Sequence, residues 1–307
     1  MAAKYLLALL VLGAMAAMTS AAGQAPSVVV SINPIHSLIA GVMKGIGSPH
    51  LLVKGPVSPH AFALRPSDAR LIENADVFFW VGEAVEPYLI KPLHAIGAGA
   101  QIIELLDGKD ILVLSAREGG AWSARDGDGH GHGQNLDGHI WLDPRNAIAI
   151  TWIAAQVLAA RDPANATAYR NNADGLADRL RKFDKALTKR FMLVKHVPYV
   201  VYHDAYQYLE RRFGLNAIGA ISAHTGRAPG ARRLRDLRKL VISSDAHCVF
   251  HEPQFDPRLV QTLIEGTDVP TGILDPMGSQ IKPGEDAYFE IMSDISNALA
   301  SCLGTAD

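Results

Sequence analysis

The sequence predicts an α/β protein of two lobes, each a mainly parallel sheet flanked by helices, with one long helix joining them. Three observations carry this reading. Short β-branched runs alternate with helical stretches in both halves of the chain, a pattern that implies parallel sheets covered on both faces. After Pro163 no proline occurs until Pro198, and Ala, Leu, Arg, Lys and Asp recur through that stretch at helical spacing. The chain has 307 residues, more than one hydrophobic core usually serves, so two units are expected.

Before the first strand, Lys4 precedes an apolar run from Tyr5 to Met18, and small residues follow at Ser20, Ala21, Ala22 and Ala25. That order fits a secretory signal peptide over 1–25, cleaved near Ala22 or Ala25. The run falls short of the ~20 residues that a membrane-spanning helix needs. In the first half, strands are expected at Val28 to Ile32, His50 to Val53, Val77 to Val81 and Gln101 to Glu104, with helices from Ile35 to Lys44, around Ser67 to Asn74 and from Tyr88 to Ile96. From Asp107 to Asn135 the composition turns to Gly, Asp, His and Ser, which reads as a flexible surface loop.

The long helix is expected from Pro163 to about Val194, with Asp162 as its cap, and would span roughly 45 Å. The second half repeats the alternation. Strands are expected at Tyr199 to Tyr202, Ala217 to Ile221, His247 to His251 and Pro270 to Leu274, with helices at Tyr206 to Phe213, Ala231 to Ser243, Arg258 to Glu265 and Ala287 to Ala300. The chain therefore divides into an N-terminal lobe over 26–160 that includes loop 107–135, a linking helix over 161–195 and a C-terminal lobe over 196–307. Two such lobes around a cleft suit ligand capture.

Composition excludes several partners. Lys and Arg number 29 against 31 Asp and Glu, a net charge of −2, so there is no electrostatic footprint for nucleic acid or an anionic membrane. Two cysteines, Cys248 and Cys302, favour pairing in an exported chain, with two unrelated buried thiols as the alternative.

Twelve histidines are many for this length, and imidazole suits borderline metals such as Zn²⁺. In parallel sheets ligands collect beyond the carboxyl ends of strands, which promotes histidines placed just after a strand. His60 lies in the proline-rich loop Gly55-Pro-Val-Ser-Pro-His60, where a solvated loop residue is the alternative. His139 sits where polar loop meets Ile140-Trp-Leu142, and capping or packing would also explain it. His203 follows a strand and opens His203-Asp-Ala-Tyr206, in which Asp204 is a helix cap or a ligand. Asp275, ahead of Pro276, is either a carboxylate ligand or an ordinary turn aspartate.

Taken together, Pro59-His60 with Leu64-Arg-Pro-Ser-Asp68, Gly138-His-Ile-Trp-Leu-Asp-Pro144, Tyr202-His-Asp-Ala-Tyr206, Glu252-Pro-Gln-Phe255 and Leu274-Asp-Pro276 resemble the metal-binding component of bacterial zinc ABC importers, the ZnuA-type periplasmic solute-binding proteins. The motifs run in family order over essentially the whole mature chain. The resemblance implies metal held between the lobes, a periplasmic location, a monomer, and delivery of Zn²⁺ to a membrane permease. It implies His60, His139 and His203 as imidazole ligands, with Asp275 at the usual carboxylate position and water as the alternative. It also implies a disulfide between Cys248 and Cys302.

Some relatives carry a glutamate before the first ligand histidine, where this chain has Pro59. A third imidazole at His203 favours zinc over the harder Mn²⁺. The short tract Asp126 to Gln134 resembles the family's His-rich loop, with His130 and His132 as a weak outer site that gathers metal and a solvated loop as the alternative. A zinc hydrolase is the rival class, since three histidines and an open position also describe catalytic zinc. No HExxH motif or assignable general base is present. An adhesin role, known among relatives of this fold, is a further alternative.

Overall fold

The computed structural model describes residues 25–96, 99–119, 121–122, 136–222 and 230–304. Residues 1–24 of the expected signal segment and the histidines at 130 and 132 lie outside the described residues. The first lobe is built in the order β1 (Val28–Val30), α1 (Asn33–Val42), β2 (His50–Leu51), α2 (Pro66–Glu73), β3 (Val77–Trp80), α3 (Ile90–Ile96) and β4 (Gln101–Glu104). All of its pairings are parallel, in the spatial order β2-β1-β3-β4. β1 and β3 are buried along their whole length, which is why they read as continuous apolar runs and do not alternate.

A two-stranded antiparallel ladder follows, β5 (Leu114–Ser115) with β6 (Leu136–Asp137), then α4 (Pro144–Arg161) and α5 (Ala166–Phe191). The second lobe contains β7 (Pro198–His203), α6 (Gln207–Phe213), β8 (Asn216–Ser222), α7 (Ala231–Ser243), β9 (Cys248–His251), α8 (Arg258–Ile264), β10 (Thr271–Ile273) and α9 (Ala287–Leu303). Its sheet is also all parallel, ordered β10-β9-β7-β8.

Three features depart from the sequence reading. The 18-residue helix α4 is absent from the elements expected from the sequence. It starts where Pro144 occupies the first turn and Asp143 Oδ1 accepts from Arg145 N at 2.8 Å. Apolar side chains lie on most sides of it, with Ile150, Ala154 and Leu158 buried and Ile148, Trp152 and Val157 packed partly, so no amphipathic stripe marks it in the sequence. The long helix is shorter than expected: α5 has 26 residues, about 39 Å. Its entry is a 3-10 turn over Pro163–Asn165, and the Asp162 carboxylate accepts from Asn165 Nδ2 (2.8 Å) and Tyr169 Oη (3.0 Å) in place of capping the backbone.

The third departure is the loop after β4, whose described part is anchored. Leu112 and Asn146 exchange two hydrogen bonds, Leu114 N donates to Tyr208 Oη, and Arg117 ion-pairs with Asp204 and Glu210. Asp204 is therefore the partner of Arg117; the N-cap position of α6 falls on Tyr206.

One continuous apolar core runs from Val28, Val30 and Ile32 through Ile39, Trp141, Ile150 and Leu180 to Tyr199, Phe250 and Tyr288. It spans both sheets. The turn after β10 seals the contact: Trp141 Nε1 donates to Pro276 O (2.9 Å), Asn33 Nδ2 to Gly278 O (3.2 Å), and Tyr288 Oη to Trp141 O (2.9 Å). Gly278 sits at φ +63°, and a Cβ there would come within 2.4 Å of Ile291, so both its conformation and its closeness require glycine. The Cys248 and Cys302 sulfurs are bonded, tying β9 to α9.

Glu86 is wholly buried beyond β3, where its Oε2 accepts from Val81 N (2.9 Å) and Gly82 N (3.2 Å). Burial pushes its carboxyl from 4.5 up to about 7. Between those two values the folded chain holds a proton that the unfolded chain has released, so Glu86 makes stability fall as pH rises through that window. Glu86→Gln, which keeps a carbonyl acceptor, should raise the melting temperature relative to wild type at pH 8 and much less at pH 4.5, in paired thermal scans. Equal shifts at both pH values would disprove the assignment.

Candidate metal centre

Three histidines from three separate segments meet at the junction of the lobes. His60 lies in a 3-10 turn, Pro59–Ala61, entered through Ser58, whose Oγ accepts from His60 N at 3.4 Å. The flanking prolines restrict the approach and leave little freedom for the imidazole's base. His139 follows β6. Asp137 Oδ1 accepts from both the backbone N of His139 (3.0 Å) and its Nδ1 (2.8 Å), so one carboxylate fixes main chain and ring together. Tyr208 Oη donates in turn to Asp137 O at 2.6 Å.

His203 is the last residue of β7. Its Nδ1 lies 2.5 Å from Oε1 of Glu252, a buried residue immediately beyond β9. The parallel pairing of β7 with β9 puts these two strand ends side by side.

Both carboxylates therefore hold Nδ1, which leaves Nε2 of His139 and His203 as the free donor atom. His139 Nε2 lies 3.4 Å from His60 Nε2 and 3.3 Å from His203 Nε2, and one donor atom from each of the three falls within 4.8 Å of the others. Nitrogens at the usual zinc distance of ~2.0–2.1 Å in a tetrahedron are separated by about 3.3–3.4 Å. Both separations from His139 Nε2 match that value, so the donor set suits a tetrahedral zinc ion. Trp141 packs against His139 (ring centroids 5.4 Å apart) and Phe255 against His203 (5.8 Å), so the cluster has apolar walls.

Burial, and then the neighbouring His139 and His203, hold the His60 imidazole well below its usual value, which keeps it neutral. At His203 burial works in the same direction, but the adjacent Glu252 carboxylate outweighs it and raises the ring.

The expected fourth member, Asp275, does not join the cluster. Its Oδ1 accepts from Gln254 Nε2 (2.8 Å), Met277 N and Gly278 N (3.1 Å each), and its Oδ2 from Ser279 N (2.6 Å) and Ser279 Oγ (2.7 Å). The carboxylate organises the turn that seals the lobes. Asp137 and Glu252, by contrast, are given no role by the sequence, although Glu252 opens one of the motifs that carry the resemblance. Asp137 stands two residues before a candidate histidine, a usable signal, but Glu252 lies 49 residues from His203 and only the sheet order pairs them.

Two parallel sheets on a shared core, with a three-imidazole cluster at their junction, define a two-lobed α/β protein of the solute-binding class. The family model described as zinc-uptake complex component A, periplasmic, matches residues 28–302, and the chain belongs to that family. The chain is 39% identical to the high-affinity zinc uptake system protein ZnuA of Brucella abortus (strain 2308), covering 93% of this chain and 94% of that one. It is 34% identical to the protein of the same name from Yersinia pestis, covering 90% and 91%. Among solved structures, a ZnuA crystal structure superposes with a TM-score of 0.74 at 22% identity over 89% of this chain and 99% of the other. A zinc-bound ZnuA deletion mutant gives 0.76 at 20% identity over 92% and 100%. At those identities the structures show the shared fold.

Proposed function

We propose that this protein is the periplasmic solute-binding component of a zinc ABC importer, capturing Zn²⁺ through His60, His139 and His203 and presenting it to a membrane permease. The observation that carries the reading is the convergence of three imidazole donor atoms within 4.8 Å of one another, two of them on rings whose Nδ1 is held by a carboxylate. Three imidazoles suit zinc better than manganese. The relatives' names point the same way.

In this reading the 26–160 and 196–307 lobes supply ligands from both sides and the ion bridges them. The continuous core and the hydrogen-bonded turn at 276–281 allow only a modest adjustment on loading. The chain acts as a monomer, exported by cleavage near Ala22 or Ala25. The site binds and does not catalyse, because Asp137 and Glu252 are both engaged at imidazole Nδ1 and neither is free as a general base.

Elemental analysis of protein purified without added metal, followed by competitive titration, should give one tight zinc per chain. Stoichiometric tight manganese with weak zinc would overturn the reading, as would ester, peptide or phosphoester turnover well above that of free zinc. Glu252→Gln weakens the partner of His203 while leaving all three imidazoles, and should lower zinc affinity by about 10–100-fold in the same titration. An unchanged affinity would remove Glu252 from the site's support.

A further inference from the structure

We infer that Gln254 completes the metal site from outside the ligand set: its Oε1 accepts a hydrogen bond from a water on the zinc ion, while its Nε2 keeps the Asp275 carboxylate on its own turn. This rests on the proposed role of His60, His139 and His203, and deepens it by assigning the fourth coordination position.

Gln254 stands two residues beyond Glu252 and lines the same cavity as the three histidines. Its amide orientation is settled by chemistry. Nε2 lies 2.8 Å from Asp275 Oδ1, and a carboxylate only accepts, so the NH₂ group faces Asp275 and the carbonyl faces away from it. Oε1 is buried and has no hydrogen-bond partner among the described residues. A buried acceptor without a donor is costly, and a water polarised by a divalent cation is a strong donor. The cavity leaves about 10 Å³ for the centre of a water-sized sphere, close to what one water requires.

Asp275 is poorly placed to take that position itself. It already accepts five hydrogen bonds, from Gln254, Met277, Gly278 and Ser279. Turning to the ion would release the turn whose Pro276 and Gly278 carbonyls receive Trp141 and Asn33 from the other lobe. An amide oxygen is a hard donor and a poor direct ligand beside three imidazoles, so Gln254 acts through the water and is a positioning residue.

The test is a crystal structure of the zinc-loaded full chain together with competitive zinc titration of wild type, Gln254→Leu and Asp275→Asn. The expected structure has three imidazoles and one water on the ion, that water within hydrogen-bond distance of Gln254 Oε1, and Asp275 still on its turn. Gln254→Leu should lose zinc affinity by about tenfold, the scale of one hydrogen bond to a charge-polarised group, and its zinc-loaded crystal should show that water displaced or disordered. Asp275→Asn should lower the melting temperature while changing zinc affinity less than Gln254→Leu does.

Asp275 or another protein atom in the fourth position would overturn the inference while leaving the zinc-binding reading intact. So would wild-type affinity in Gln254→Leu, or an equal loss in both variants with the water unmoved. If Gln254→Leu does not fold, the wild-type crystal decides. A wild-type chain that binds no zinc through the three histidines would remove both readings.

Discussion

Replacing His203 by alanine is expected to lower zinc affinity by about a thousandfold or more. Loss of a direct imidazole should exceed the 10–100-fold typical of outer partners. The site must also tolerate what remains: Glu252 is 2% exposed and loses the Nδ1 partner that lies 2.5 Å away. An unpaired buried carboxylate destabilises the folded chain.

This argument ranks the three ligands. His139→Ala should be less damaging to the metal-free protein, because Asp137 Oδ1 still accepts from the backbone N of residue 139. His60→Ala should cost zinc binding with the least effect on stability, since no carboxylate supports that ring and its loop lies at the surface. His94→Ala and His50→Ala, at exposed positions, are the controls and should bind as wild type. Competitive titration with parallel thermal melts tests the ranking. A loss of less than tenfold for His203→Ala would be incompatible with its role as a ligand.

Removing the disulfide should produce the largest change in stability. Cys248 and Cys302 are 54 residues apart, and closing a loop of that length restricts the unfolded chain by about 4 kcal/mol on the chain-entropy estimate. In a chain of this size that corresponds to a fall of roughly 10 °C in melting temperature. The double variant Cys248→Ala/Cys302→Ala is the cleaner test, because it places no hydroxyl at the fully buried position 248.

Zinc affinity at 25 °C should change little. β9 stays paired with both β7 and β10, so Glu252 remains beside His203 without the covalent tie. Reducing the wild type should reproduce the shift. A melting temperature within 2 °C of wild type in the double variant would show that the bond contributes little beyond the packing of α9.

The strands of both sheets and most of their helices are legible in the sequence. Buried parallel strands leave unbroken apolar runs such as Val28 to Ile32 and Val77 to Val81, and prolines and glycines mark their ends. Helix α4 is not legible, because a helix packed on most sides by other elements carries no polar face to set a period.

The same division holds at the site. The histidines are identifiable one by one, since each follows a strand or stands in a restrained loop. What the sequence by itself determined was local: most of the elements, the donor types and the presence of two cysteines. Tertiary structure alone decided which atoms meet. It brought Glu252 to His203 across the β7–β9 pairing, gathered three imidazole donor atoms within 4.8 Å of one another, and drew Asp275 away into a turn that closes the lobes. The physical reason is that a hydrogen bond or a coordination geometry depends on positions to within tenths of an ångström. Those positions are fixed by sheet order and core packing between segments far apart in the chain, which no local pattern records.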